Sequence, residues 1–224
     1  MIDTIPVAIY KGLPSEHAQA FLNGEILFRS FSYFMRAEDS ARNDGLDGRH
    51  VDAPDHDVTI ENLSTGKIIK GAFECHNVCG KPDRLFCFCT STSREACAKF
   101  GNACIEISDV QDFKSWLERA LQRLNRLTAL DTPLLLANRV TYYLPNEPLP
   151  STVDVKNTHH LAFVKRSQYS SENEFRFVFS RRGGRALVQK LVTKAYRPID
   201  DLKDAPDKEC FLKIGSVRDI ARIV

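Results

Sequence analysis

The chain has 224 residues, 43% of them hydrophobic, and a formal net charge of +2. That suffices for one domain with a sizeable core, and the charge is too small to announce a nucleic-acid binder. No apolar run approaches a membrane span, and Asp3 and Pro6 stand where a secretory signal would carry basic residues and then an apolar stretch, so a cytoplasmic protein is expected.

In chain order, Ile5 to Tyr10 reads as a strand ending at Lys11-Gly12. Pro14 to Leu22 follows as a short helix stopped by Asn23-Gly24, and Glu25 to Arg29 as a second strand. Ser30 to Met35 opens another short helix. Glu38 to Pro54 is polar, with Gly45 and Gly48, and is expected to be a long loop. Val58 to Leu63 and Lys67 to Phe73 flank Ser64-Thr65-Gly66 as a hairpin, and Arg84 to Thr90 is a strongly apolar strand. Cys104 to Ile107 is a strand. Ser108 is expected to cap a helix whose residues Val110, Phe113, Trp116, Leu117, Ala120, Leu121, Leu124 and Leu127 recur at helical spacing, a core stripe. Ala137 to Leu144 is a strand, with further strands near Ala186 to Leu191 and Cys210 to Ile214 and a last apolar run at Ile220 to Val224. Strands predominate without regular βαβ alternation, so the predicted class is α+β, and no linker divides residues 1–224 into two domains.

The seven cysteines are read as reduced core thiols. Cys75, His76, Cys79, Cys87 and Cys89 are crowded enough to raise the question of zinc, but Cys87 and Cys89 alternate with Phe86 and Phe88 inside a strand, a poor spacing for a tetrahedral site. Lys165, Arg166, Arg181, Arg182 and Arg185 form a basic cluster, as do Arg29, Arg36, Arg42 and Arg49; such clusters are usually solvated surface. Gly-x-Gly-x-x-Gly, the P-loop, the Gly-x-Ser-x-Gly elbow and His-Glu-x-x-His are all absent, which weakens hydride transfer, ATP hydrolysis and serine or zinc hydrolysis.

The most informative stretch is Lys165 to Phe179. Read as a strand, it puts Glu172, Glu174 and Arg176 on one face and Phe175, Phe177 and Phe179 on the other. Paired acids at a strand mouth suit work on a glycosidic bond, where one carboxylate stabilises an oxocarbenium-like cation and the second deprotonates the nucleophile. An edge strand with solvated charges is the bland alternative.

The order Tyr10-Lys11-Gly12, short helix, Asn23-Gly24, strand into Ser30-x-Ser32-Tyr33-Phe34, then Ser91-Thr92-Ser93 and Glu172-x-Glu174 resembles the ADP-ribosyltransferase superfamily. With Tyr33 to Asp44 and the late Glu-x-Glu-aromatic-Arg, the chain is similar to bacterial members that look like toxins of phage-defence and toxin-antitoxin loci. The resemblance implies a split, mostly antiparallel β-sheet with flanking helices and NAD as substrate in its cleft. It further implies transfer of ADP-ribose to a macromolecular acceptor, RNA or protein, as in the toxin of a toxin-antitoxin-chaperone system, with a cognate antitoxin as partner. Glu174 is then the catalytic carboxylate and Glu172 the group that positions or deprotonates the acceptor. Tyr10 lines the cleft, Tyr33 stacks on nicotinamide, Lys11, Arg29, Arg36 and Arg42 meet phosphate, and Ser30, Ser32 and Ser91 bond ribose or amide. The first strand carries Tyr10-Lys11 where better-understood branches have Arg or His, with Arg29 the possible substitute, and Ser91-Thr92-Ser93 also reads as a helix-capping turn. Two rivals stand: a nucleotide- or partner-binding module without turnover, and a metal-dependent nuclease toxin drawing on Asp39, Asp44, Asp47, Asp52, Asp55 and Asp57.

Overall fold

A computed structural model of the protein describes residues 5–36, 47–79, 83–90, 97–128, 134–144, 147, 149–154, 157–180, 188–193 and 209–224. Arg42, Ser91, Asp39 and Asp44 lie outside these residues. The class is mixed α+β: a mostly antiparallel sheet with a few helices. None of those helices is long and apolar enough to cross a membrane.

The central sheet is built on β7 (Asp83–Cys89) and β12 (Glu174–Ser180), which pair antiparallel along seven positions, Glu174 opposite Cys89 through Ser180 opposite Asp83. Beyond β12 lies β9 (Leu134–Arg139). The other edge of β7 is shared by two strands. β2 (Glu25–Ser30) takes its start, pairing Arg29 with Leu85 and Ser30 with Arg84, and β1 (Ile9–Leu13) takes only its end, pairing Tyr10 with Cys89. The sheet therefore forks. One arm continues from β2 to β14 (Cys210–Lys213), the other from β1 to β8 (Ala103–Ile107) and β15 (Ala221–Ile223).

Alternation along β7 and β12 sorts the two faces. Phe86, Phe88, Phe175, Phe177 and Phe179 turn to a core closed by α1 (Ser15–Leu22) and by Phe113, Leu117 and Leu121 of α3 (Val110–Thr128). Their rings meet mostly edge to face, Phe86 on Phe88 at 4.7 Å and Phe88 on Phe177 at 5.7 Å, the arrangement that ring quadrupoles favour. The opposite face carries Leu85 and Val178 into a smaller cluster with Phe31, Cys79 and the run Leu161 to Val164. A second sheet of β3 (Arg49–Asp52), β6 (Phe73–Val78) and β13 (Val188–Thr193) and the hairpin of β4 (Val58–Asn62) and β5 (Lys67–Gly71) complete the β structure with β10 (Thr141–Tyr143) and β11 (Val164–Arg166), which run parallel.

Several expectations change. The segment taken for one long loop contains β3, held by four residue pairs with β6, so pairing overrides its polar composition. The strand expected over Ala137 to Leu144 is divided at Val140, β9 pairing with β12 and β10 with β11. The cap of α3 is Asp109, whose Oδ1 accepts from the Asp112 N–H at 2.9 Å, while the Ser108 hydroxyl donates to the Ile220 carbonyl at 3.1 Å. Asn23-Gly24 does end α1. Gly24 has φ +84, and a Cβ there would collide with the Gly215 carbonyl, so only glycine fits the turn.

Candidate functional site

The fork encloses a cleft of about 620 Å³. Between the stretch of β7 paired to β2 and the single pair to β1, the edge of β7 around Cys87 has no strand beside it among the described residues, and Lys11 reaches into the gap: its ammonium donates to the Cys87 carbonyl at 2.7 Å and lies 4.8 Å from the Phe86 ring. Tyr10, Lys11, Arg29, Tyr33, Glu172 and Glu174, all expected at the site, line this one cleft. Arg29 stacks over Tyr33 at 4.4 Å and pairs with Glu209.

The other expectations fall elsewhere. Ser30 and Ser32 are buried off the cleft wall, their hydroxyls bonded to each other at 2.8 Å; Ser30 Oγ also accepts from the Tyr33 N–H at 3.3 Å, capping α2 (Phe31–Arg36). Arg36 is the last residue of α2. Thr90, just before Ser91, donates its N–H and hydroxyl to the Asn173 carbonyl at 2.8 and 3.0 Å.

Glu172 and Glu174 do not alternate along one strand. Glu172 ends a 3-10 helix (Ser167–Glu172), Asn173 adopts the left-handed region at φ 43 and ψ 51, and β12 starts at Glu174. The reversal at Asn173 still brings both carboxylates to Lys165, whose ammonium donates to Glu172 Oε2 at 2.7 Å and Glu174 Oε2 at 3.3 Å. Lys165, read from the sequence as solvated surface, is 8% exposed. Arg176 is fully buried and serves two acids. Its Nε and one terminal nitrogen bond Glu174 at 2.9 and 3.0 Å, and its two terminal nitrogens bond Asp47 at 2.7 and 3.0 Å. Tyr142 adds an anchor, its hydroxyl accepting from the Glu174 N–H at 2.9 Å.

Asp47, Glu172 and Glu174 meet Lys165 and Arg176 in this cluster, and the electrostatics set the two glutamates apart. Burial pushes Glu174 up, but Arg176 and Lys165 outweigh it and hold the carboxyl at about 2. For Glu172 burial wins over Lys165, and its pKa is raised. Both Glu174 oxygens are engaged, whereas Glu172 has no bond to Oε1 among the described residues. Two acids with pKa values driven apart are the usual basis for dividing an ionised stabiliser from a proton-transfer group.

Lys165 and Tyr142 were not singled out for the site from sequence, and Asp47 was considered only as a metal ligand of the nuclease alternative. The apolar run Leu161 to Val164 leading into Lys165 was the one local sign that this lysine is buried. The acids considered as metal ligands are separated: Asp47 is buried on Arg176, while Asp52, Asp55 and Asp57 are exposed. No group of three or more His, Cys, Asp or Glu side chains suited to a metal occurs among the described residues. None of the seven cysteines is in a disulfide.

Compared with known proteins, the chain matches no family model, and neither a curated protein nor a solved structure shows significant similarity to it.

Proposed function

We propose that the cleft binds NAD and that the protein transfers its ADP-ribose to a macromolecular acceptor, RNA or protein. The observation that carries the reading is the pair Glu172 and Glu174, brought together on Lys165 at the wall of the cleft in the forked sheet. Nicotinamide leaving the ribose generates a cation, and a fixed anion in a site with little water stabilises that charge as it develops. The roles divide differently from the sequence-based expectation. Glu174, saturated by Arg176 and Lys165, is the ionised positioning group, and Glu172 is the carboxylate with an oxygen left for the reaction and a raised pKa suited to taking the acceptor's proton. Lys11 and Arg29 supply positive charge for the pyrophosphate, and a phosphate at Arg29 has to displace Glu209. The toxin setting, with an antitoxin as partner, rests on the resemblance alone.

A specific observation favours a second reading, a nucleotide-binding module without turnover: two cations already neutralise Glu174. Incubating the purified protein with NAD labelled in its adenylate, together with separate pools of RNA, DNA and protein, decides between them. Transfer predicts label on one pool and release of nicotinamide. Saturable NAD binding in calorimetry with no nicotinamide released would leave the binding module standing, and absence of binding would overturn both.

A further inference from the structure

Behind the end of β1, three thiols lie in a row that the chemistry above does not use. Cys104 Sγ and Cys97 Sγ are 2.9 Å apart, and Cys97 is also hydrogen-bonded to Cys89. Cys104 sits in β8 opposite Gly12 of β1. Cys97 crosses over that same glycine so closely that any Cβ on Gly12 would strike the Cys97 carbonyl. Cys89 closes the row at the cleft wall, level with Tyr10 on one side and Glu174 on the other. At position 12, where Cys97 and Cys104 approach each other, the backbone carries no side chain to keep Cys97 off β1.

We propose that Cys97 and Cys104 form an oxidation site that closes to a disulfide in response to a peroxide. The sulfurs need to approach by less than an ångström to reach a bond of about 2.05 Å. Cys104, the more exposed of the two, attacks one peroxide oxygen as its thiolate; the O–O bond breaks, and the departing hydroxide takes up the thiol proton and leaves as water. The Cys97 thiol then attacks Cys104 Sγ, forms the S–S bond and expels hydroxide, which leaves with the Cys97 proton as a second water. Two thiols lose two electrons and the peroxide gains them. Cys97, the more buried of the two, is the resolving partner; hydrogen bonding to Cys89, then burial and hydrogen bonding to Cys104, raise its pKa. The product pins the turn after Cys97, closed by the Phe100 N–H on the Cys97 carbonyl, to β8, and Phe100 of that turn lines the cleft. Cys79 and Cys87, buried with strongly raised pKa values, remain thiols.

The site stands whether or not the cleft turns over NAD, and its test reads only sulfur chemistry. The reduced full-length protein is treated with hydrogen peroxide at stoichiometric doses, its remaining thiols are alkylated, and the protein is digested without reduction for mass spectrometry. One reducible bridge between the peptides of Cys97 and Cys104 is expected, with the loss of two free thiols. Cys97→Ser and Cys104→Ser should each abolish the bridge, with peroxide leaving Cys104 in Cys97→Ser as a sulfenic acid, and Cys89→Ser should leave the bridge in place. Mapping on the unaltered chain makes the result independent of how the variants fold. A bridge from Cys89 to Cys97, oxidation only to acids on separate cysteines, or unchanged thiol content would overturn the proposal.

Discussion

On one face of β12, Phe175, Phe177 and Phe179 meet the rings of β7 and α3 in an apolar core that a charge, the Lys11 ammonium, touches at Phe86; on the other, Glu174 and Arg176 join Asp47, Lys165 and Glu172 in a cluster of five. Both faces are buried, yet they depend on different physics. The aromatic face gains from removing apolar area from water, spread over many contacts and indifferent to pH. The charged face is a balance of desolvation against pairing, and replacing such a buried cluster as a whole by well-packed hydrophobes is often neutral or stabilising. Burying five charges beside a cleft is thus better explained by chemistry than by folding.

The sharpest way to break this comparison is to remove one group from each face. Arg176→Met leaves Asp47 and Glu174 as buried acids without their guanidinium and should cost about 3–5 kcal/mol at neutral pH. Phe177→Ala should cost a similar amount, roughly 3–5 kcal/mol, through the cavity it opens. Acid separates them. Because Glu174 is held at about 2, its share of stability is fully present above the ordinary glutamate pKa and is lost as pH falls through that value towards about 2. That share is on the order of 3 kcal/mol. The parent and Phe177→Ala should both weaken across this window in urea titrations, whereas Arg176→Met should weaken less, since its Glu174 is no longer held so low. Parallel slopes in all three would show that Arg176 does not set the charge state of Glu174.

Within the charged face, the two glutamates should part company. Glu172→Gln should reduce transfer about 100-fold, as expected for loss of a general base, with little effect on folding. Glu174→Gln should instead cost about 1.5–3 kcal/mol of stability through weakened charged hydrogen bonds. A raised carboxyl contributes stability below its unfolded pKa and loses it as pH rises through the folded value, so Glu172→Gln should be at least as stable as the parent above that point. Transfer by the parent should rise with pH through the same raised pKa, and the residual rate of Glu172→Gln should be flat. Equal activity losses in both variants would return the catalytic role to Glu174.

How much of this was readable in the chain follows from what is local. The helical stripe from Val110, the hairpin turn at Ser64-Thr65-Gly66 and the aromatic alternation of β12 are set by neighbouring residues, and the structure has each of them. The polar segment around β3 gave no alternation because its partner β6 lies more than twenty residues away and supplies the pairing. Glu172 and Glu174 were visible as a pair, but the residues that set their protonation were not. Asp47 reaches Arg176 across 129 positions, and Lys165 looks from its neighbours like one more surface cation. Tyr10, Arg29 and Tyr33 could be placed together only through resemblance, since the fork that unites them is a matter of which strands share an edge.

The smallest effect tests the joint between the two carboxylates. Asn173 is the one non-glycine residue with positive φ among the described residues, and its carbonyl is clamped by Thr90, which in turn accepts from Arg139 at 3.2 Å. Asparagine tolerates the left-handed region better than other side chains, and glycine adopts it without steric cost. Asn173→Gly should therefore change stability by only a few tenths of a kcal/mol and retain transfer activity. Asn173→Val keeps the clamped carbonyl but forces a β-branched side chain into this region, at about 1–2 kcal/mol. Relief of that strain turns Glu172 away from Lys165 while β12 keeps Glu174 in place. The valine variant should then lose transfer activity well beyond its loss of stability, measured by nicotinamide release at a temperature where it remains folded. If valine and glycine behave alike in both assays, the left-handed turn does not place Glu172, and the convergence on Lys165 is held by the 3-10 helix itself.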